Sequence, residues 1–282
     1  ANKRPMMAEN AVKRGNIYDR DGNVLAYSTG EKFQYQRVYN YPVIYSHIVG
    51  YSNKIVSKYG IEKEYNSYLL GKEGSKLLKT FKSIFNKKLD LNMGDSLILT
   101  TNTELQKKTR SVLGENNEKG SVVIMNPKNG EILSMVSLPD FNSQNIAQDM
   151  AQINKNNNGA LFNNSTLGKF APGSVFKIVS ADAILESGIS QNYNDKGTEK
   201  IDNGREFKNS TGKAYGRINL KTAFTHSVNT YFVRKTVDVG LDIYSNVCQK
   251  FMINKKVDFD LPLETSTWDY NRQGFDKTAL GS

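Results

Sequence analysis

Phe162–Glu186 reads FNNSTLGKFAPGSVFKIVSADAILE. Pro172 and Gly173 interrupt regular structure and set the angle at which the chain enters the next element. Beyond them Val175, Ile178, Val179, Ala183, Ile184 and Leu185 recur at roughly helical spacing, and Gly188 is a natural stop. The segment predicts a turn that delivers Ser174 onto the first turn of a helix, with Lys177 on the same face one turn later. So apolar a helix is expected to be buried, which puts Lys177 near the core. A serine hydroxyl is a poor nucleophile until a base takes its proton, and a desolvated lysine with a lowered pKa can do that. The positive dipole end and free N–H groups of a helix start favour developing negative charge. These are the parts of an acyl-serine site.

The spacing alone is weak evidence in a chain rich in serine and lysine. S-x-x-K occurs twice, at Ser174–Lys177 and Ser210–Lys213. The second lies in Lys208-Asn209-Ser210-Thr211-Gly212-Lys213 with no apolar face behind it, and reads as a solvated loop. A bare S-x-x-K equally describes a capping serine with a surface lysine; the P-G-S turn and the apolar helix single out Ser174. Downstream, residues 216–240 read GRINLKTAFTHSVNTYFVRKTVDVG. Leu220, Ala223, Phe224, Val228, Tyr231, Phe232 and Val237 give a helical pattern broken around Thr225–Asn229, and Ser227 and Asn229 flank the break. A hydroxyl there can relay a proton, and an Asn amide can pair with a substrate amide. A capped turn between two helices describes the same residues as well, since S-x-N recurs at Ser143–Asn145 and Ser190–Asn192.

Taken together, these segments resemble the class B penicillin-binding proteins, the monofunctional peptidoglycan D,D-transpeptidases, whose superfamily carries S-x-x-K with S-D-N and K-T-G. Here the second motif reads Ser227-Val228-Asn229. Arg14-Gly15-Asn16-Ile17-Tyr18-Asp19-Arg20-Asp21-Gly22-Asn23-Val24-Leu25-Ala26 is similar to the family's membrane-proximal signature. Gly60–Tyr65 through Leu70-Gly71 resembles the helix at the base of its non-catalytic domain. Leu99-Thr100-Thr101 with Leu105-Gln106 resembles the opening of the catalytic domain, and residues 120–142, GSVVIMNPKNGEILSMVSLPDFN, its first hairpin. The resemblance implies an α+β fold: a penicillin-binding, serine β-lactamase-like transpeptidase domain with an antiparallel sheet flanked by helices, at 99–282, and a small N-terminal pedestal domain, non-catalytic and of dimerisation type, at 1–98. It implies Ser174 as nucleophile, Lys177 as its base, Ser227 as proton shuttle and Asn229 as binder of the donor amide. The reaction implied opens the D-Ala–D-Ala bond of a peptidoglycan stem peptide and passes the acyl group to a neighbouring amine, with β-lactam antibiotics as suicide substrates and a membrane polymerase as partner.

Neither a cofactor nor a metal is implied. K-T-G occurs nowhere; Lys277-Thr278-Ala279 is a near miss, and Thr278–Ser282 resembles a segment that precedes K-T-G in relatives. The chain is therefore expected to stop inside the catalytic domain, short of the cleft strand and one oxyanion-hole N–H, and to be inactive alone. At the other end the resemblance implies a single transmembrane anchor upstream of Ala1. It sets Lys3, Arg4, Lys13 and Arg14 near the membrane surface, with the rest on the extracytoplasmic face.

Composition limits the rivals. The sequence has 282 residues, 38% of them hydrophobic, so at most two domains are expected, and one cysteine, Cys248, excludes an internal disulfide and reads as a buried small hydrophobe. A net charge of +10 is spread along the chain, without a basic stripe interleaved with aromatics, which argues against nucleic acid and suits anionic envelope polymers. Asp19-Arg20-Asp21-Gly22 is a turn between strands Tyr18–Arg20 and Val24–Tyr27 rather than a calcium loop. Phe33, Tyr35, Tyr39, Tyr41 and Tyr45 are expected to pack on strands, and Lys72–Lys88 to form a basic amphipathic helix. Ser121–Met125 and Glu131–Ser137 read as a hairpin, Asn142–Asn164 as a mobile loop, and Ser190–Gly216 as turn-rich and poor in strands. His226 adjoins Ser227 and points away from it, and His47 lies in the pedestal, so a Ser-His-Asp hydrolase is disfavoured. A non-catalytic β-lactam sensor or cell-wall scaffold remains the alternative reading.

Overall fold

Asp19 shows how the N-terminal sequence becomes structure. Its Oδ1 accepts the N–H groups of Asp21 and Asn23 at 2.9 and 2.8 Å, closing the turn between β1 (Ile17–Tyr18) and β2 (Val24–Thr29). Its Oδ2 accepts from Asn23 Nδ2 at 2.8 Å and from the Thr103 hydroxyl at 2.5 Å, so the carboxylate is shared between the turn and Thr103. The computed structural model describes residue 9 and residues 11–72, 93–115, 117–201 and 204–268. The expected Lys72–Lys88 helix, beyond Lys72, and Lys277–Ala279 lie outside these residues. The chain divides into two compact units, residues 1–168 with 259–262, and residues 169–258 with 263–282.

In the first unit β3 (Gln36–Tyr39), β2, β1 and β6 (Leu97–Ile98) form a sheet in that order, antiparallel except for the parallel β1–β6 pair. A ribbon of β4 (Tyr51–Asn53) and β5 (Ser57–Tyr59) leads into the short helices α1 (Ile61–Glu64) and α2 (Asn66–Leu69). Next come α3 (Thr103–Gly114) and the expected hairpin, observed as β7 (Gly120–Met125) and β8 (Ile132–Leu138). Buried Gln106 binds α3 to β8: its amide donates to Ile44 O and Met135 O and accepts from Ser134 Oγ and Met135 N, which satisfies the whole side chain. Because Met135, Phe141 and Ile146 share a core with Ile17, Leu25 and Ile61, the compact units do not part at 98/99. Gly15 passes so close to the backbone that a Cβ there would lie 1.9 Å from Asp95 O, which only glycine tolerates.

Several expectations are corrected. Asn142–Asn164 is not a mobile loop: it contains α4 (Ile146–Asn156), because Ile146, Met150 and Ile153 recur at helical spacing among polar residues and join the core. Short α5 (Asn164–Leu167) follows. Of the aromatic group, Tyr39 and Tyr45 are buried, whereas Phe33 sits on an exposed turn with φ 70°.

In the second unit a 3₁₀ turn (Gly173–Phe176) runs into α6 (Lys177–Ser187), which Gly188 ends in the left-handed region. The stretch after it is richer in strands than expected. It holds β9 (Tyr193–Asp195) paired with β12 (Gly216–Ile218), and β10 (Thr198–Lys200) paired with β11 (Glu206–Lys208). Three helices complete the described part: α7 (Leu220–Thr225), α8 (Asn229–Val239) and α9 (Leu241–Lys250). Val179, Ala183 and Ile184 meet Tyr231, Phe232, Tyr244, Val247 and Cys248 in one core, so the cysteine is buried as expected. Burial of α6 is one-sided, however: Ile178 and Leu185 are exposed, as is Val175 in the turn before it. The fold is α+β, and among the described residues the strands of this unit form only two-stranded antiparallel ribbons.

Two guanidiniums share one buried carboxylate in the first unit. Arg14 Nε and Arg37 Nε lie 2.5 and 2.6 Å from Glu62, whose side chain is fully buried. Burial raises the Glu62 pKa, and the two cations outweigh it and hold the carboxyl below its ordinary value. We expect Glu62→Gln to cost about 3–5 kcal/mol, read by denaturant unfolding, because both guanidiniums lose their counter-charge. The depressed pKa also fixes the sign of the pH dependence. The Glu62 contribution is complete above the unfolded value of about 4.3 and is lost as the pH falls below it.

Candidate active site

Ser174 sits in a 3₁₀ turn that runs into α6 at Lys177, so the two residues are one tight turn apart. With three residues per turn, side chains at i and i+3 eclipse. The expected first α-helical turn is thus replaced by a tighter one that stacks the two groups more directly. Ser174 is exposed, whereas Lys177 is only 2% accessible, so the hydroxyl faces solvent and the amine sits beneath it.

Ser227 comes from the end of α7. Val228 N–H donates to Ala223 O and Ser227 N–H to Phe224 O, the bond pair of a Schellman helix end. Val228 and Ala223, both buried, make the apolar contact that goes with it. The position between them needs positive φ and usually takes glycine, yet Ser227 occupies it at φ 52°. A serine held where glycine is preferred stores local backbone strain. In the sequence this position showed as the break in apolar periodicity at Thr225–Asn229. Asn229 follows as the first residue of α8.

All four predicted site residues come together around Lys177 Nζ. It lies 2.6 Å from Asn229 Oδ1, 2.9 Å from Ser227 O, 2.8 Å from Ser227 Oγ and 3.3 Å from Ser174 Oγ. The two hydroxyls are 3.2 Å apart. Asn229 Nδ2 donates to Lys208 O at 3.1 Å, which turns the amide oxygen toward Lys177. The Lys208 carbonyl could not be read as a functional group from the sequence, because a backbone oxygen carries no residue signature. His226 stacks on Tyr215, and His47 is held by Pro139 O and Tyr59, so neither ring joins the cluster. Ser210 is exposed on its loop, but Asn209 beside it is buried, which corrects the reading of that run as wholly solvated.

Among the described residues no carboxylate pairs with Lys177. Burial therefore pushes its pKa down from 10.5 to about 8, although the Phe232 ring, 5.6 Å from Nζ, favours the cation. The neutral amine has two N–H groups and one lone pair. Ser227 O and the oriented Asn229 Oδ1 can only accept, so they take the N–H groups and leave the lone pair to a hydroxyl proton. Ser174 is in reach directly and through Ser227.

Residues 120–280, more than half of the chain, match the penicillin binding protein transpeptidase domain, and residues 14–92 match the penicillin binding protein A dimerisation domain. The chain belongs to the penicillin-binding protein transpeptidase family. Among its relatives is the peptidoglycan D,D-transpeptidase PbpA of Mycolicibacterium smegmatis, 27% identical over 269 residues, which covers 89% of this chain and 54% of the relative. The transpeptidase-domain structure of a peptidoglycan glycosyltransferase from Eggerthella lenta is 29% identical, with TM-score 0.80, over 96% of this chain and 61% of that one. Penicillin-binding protein A of Mycobacterium tuberculosis, solved as an imipenem acyl-enzyme, shares the fold at TM-score 0.87 and 23% identity, over 97% of this chain and 67% of that one. The chain spans about half the length of the PbpA relative it matches.

This geometry sets two expected outcomes. The Lys177 side-chain nitrogen should titrate near 8 in an NMR pH series, well below the ordinary lysine value of 10.5. Ser227→Gly should raise stability by about 1 kcal/mol in thermal unfolding, because it relieves the left-handed serine while deleting the hydroxyl.

Proposed function

We propose that the protein is a peptidoglycan D,D-transpeptidase that works through an acyl-enzyme at Ser174 and is acylated there by β-lactams. The observation that carries this reading is the Ser174–Lys177–Ser227–Asn229 cluster around a desolvated amine. Neutral Lys177 takes the Ser174 proton as Oγ attacks the carbonyl of a D-Ala–D-Ala bond in a stem peptide. Ser227 passes a proton to the departing D-alanine amine. The amine of a neighbouring stem then attacks the Ser174 ester, which closes the cross-link and returns the hydroxyl. Asn229 divides its amide between Lys208 O and Lys177, and its rim position suits a donor peptide's backbone. The relatives named as D,D-transpeptidases, and one solved as a β-lactam acyl-enzyme, support catalysis over a non-catalytic sensor or scaffold.

In this reading residues 1–98 are the non-catalytic pedestal and residues from 99 onward the catalytic part. The substrate places the protein at the outer face of the cytoplasmic membrane, and a membrane polymerase that supplies nascent glycan strands is the partner. Among the described residues no helix is long and apolar enough to cross a membrane.

The test is intact-mass analysis of the full-length protein after incubation with benzylpenicillin. One adduct per chain, mapped to Ser174, is expected. Ser174→Ala should abolish it, and Lys177→Ala should slow acylation by about 10²–10⁴-fold. A base must be unprotonated to act, so the acylation rate should rise with pH through about 8. Undiminished labelling of the Ser174→Ala protein would overturn the assignment.

A further inference from the structure

Asp195, at the end of β9, is 2% exposed, and its carboxylate accepts four hydrogen bonds. Oδ1 takes the Gly197 N–H at 3.0 Å and the Thr230 hydroxyl at 2.7 Å. Oδ2 takes Asn209 Nδ2 at 2.9 Å and the Tyr215 N–H at 2.8 Å. Asn209 in turn accepts the Thr230 backbone N–H at 3.2 Å through Oδ1 and donates to Lys213 O at 2.9 Å through Nδ2. Every polar atom of this buried group is satisfied, and the acceptor capacity of an ionised carboxylate is nearly filled.

The two residues whose side chains Asp195 grips, Asn209 and Thr230, each adjoin one end of a contact in the candidate site. Asn209 follows Lys208, whose carbonyl holds Asn229 Nδ2, and Thr230 follows Asn229 itself. We propose that Asp195 is a positioning residue: it locks the β11 end to the first turn of α8, and so keeps the Asn229 amide oxygen on Lys177 Nζ. Asp195 touches neither the reacting hydroxyls nor, in this reading, the substrate. It acts through Asn229. The inference rests on the acyl-serine reading for its functional meaning, while its geometry stands by itself.

Asp195→Asn preserves shape but turns an NH2 either toward the Gly197 N–H and the Thr230 hydroxyl or toward the Asn209 amide and the Tyr215 N–H; in each case a backbone N–H loses its acceptor and the grip on Thr230 or on Asn209 loosens. The midpoint of the Lys177 side-chain nitrogen, followed by NMR in the full chain, should then fall below the wild-type value, because the ammonium loses its 2.6 Å acceptor. At a pH above both midpoints, where the amine is neutral in either protein, benzylpenicillin acylation of the full-length protein should slow about tenfold or more, because the ammonium that forms in the step lacks a hydrogen bond to a charged group. In an Asn229→Ala background, Asp195→Asn should leave the Lys177 midpoint where Asn229→Ala alone puts it. A shift of equal size in both backgrounds overturns the proposal, because Asp195 would then act through space by its charge. A fall in Tm with an unmoved midpoint overturns it as well. Should Asp195→Asn fail to fold, Thr230→Val decides: it should lower the midpoint while Thr230→Ser does not, and an unmoved midpoint in Thr230→Val rejects the proposal. The titration needs no substrate. A full-length wild-type protein that titrates as expected yet takes no label would reject the transpeptidase reading and leave the role of Asp195 standing.

Discussion

Burying one lysine that has no counter-ion among the described residues is the constraint on which the second unit depends. A lone ammonium deep in protein is costly, and the usual remedies are a carboxylate partner or loss of the proton. Lys177 has neutral acceptors instead: a backbone carbonyl, an Asn amide oxygen and two hydroxyls. They stabilise the cation enough for it to exist near neutrality and too little to keep its ordinary pKa. A carboxylate in their place would fix the proton on the amine, so the neutral partners keep the amine's proton exchangeable at a cost to the fold.

The first unit solves a similar problem the opposite way. Arg14, Arg37 and Glu62 put three charges out of water, and two guanidiniums hold the carboxylate in its charged form. A permanent ion cluster of this kind pins segments distant in sequence: Arg14 precedes the first strand, Arg37 lies on β3 and Glu62 on α1. Nothing there is poised to change protonation near neutral pH. Charge compensated by charge gives rigidity, and charge compensated by dipoles gives a group that can exchange a proton.

Local strain appears where the chemistry needs it. A Schellman end works best with glycine at its left-handed residue, and that residue is Ser227. The same turn lets Ser227 present both its carbonyl and its hydroxyl to Lys177, which a regular helical serine would not do. Helix α8 therefore begins without a side-chain cap from Val228, and its first turn is secured from outside by Asn209 and Asp195. The order of the site comes from packing and hydrogen bonds that converge from four separate segments.

Much was legible from local pattern. The P-G-S turn and the apolar periodicity after it, both properties of neighbouring residues, singled out Ser174 and Lys177. The break at Thr225–Asn229 left Ser227 and Asn229 open to a capped turn, and the family resemblance singled them out. The Asp19 turn and the β7–β8 hairpin were readable from neighbouring residues as well. Helix α4 was missed because its three apolar residues are diluted by asparagine and glutamine, and the ribbons between Tyr193 and Ile218 because three-residue strands carry no detectable alternation. Tertiary structure alone decided that residues 99–168 share a core with the N-terminal part, that α6 buries only one face, and that Asp195 reaches Asn209 and Thr230. Those outcomes depend on contacts between residues tens of positions apart, about which the spacing of side chains along one segment says nothing. The sequence by itself determined which groups can do the chemistry; the folded chain decided which acceptors surround Lys177, and hence how tightly it holds its proton.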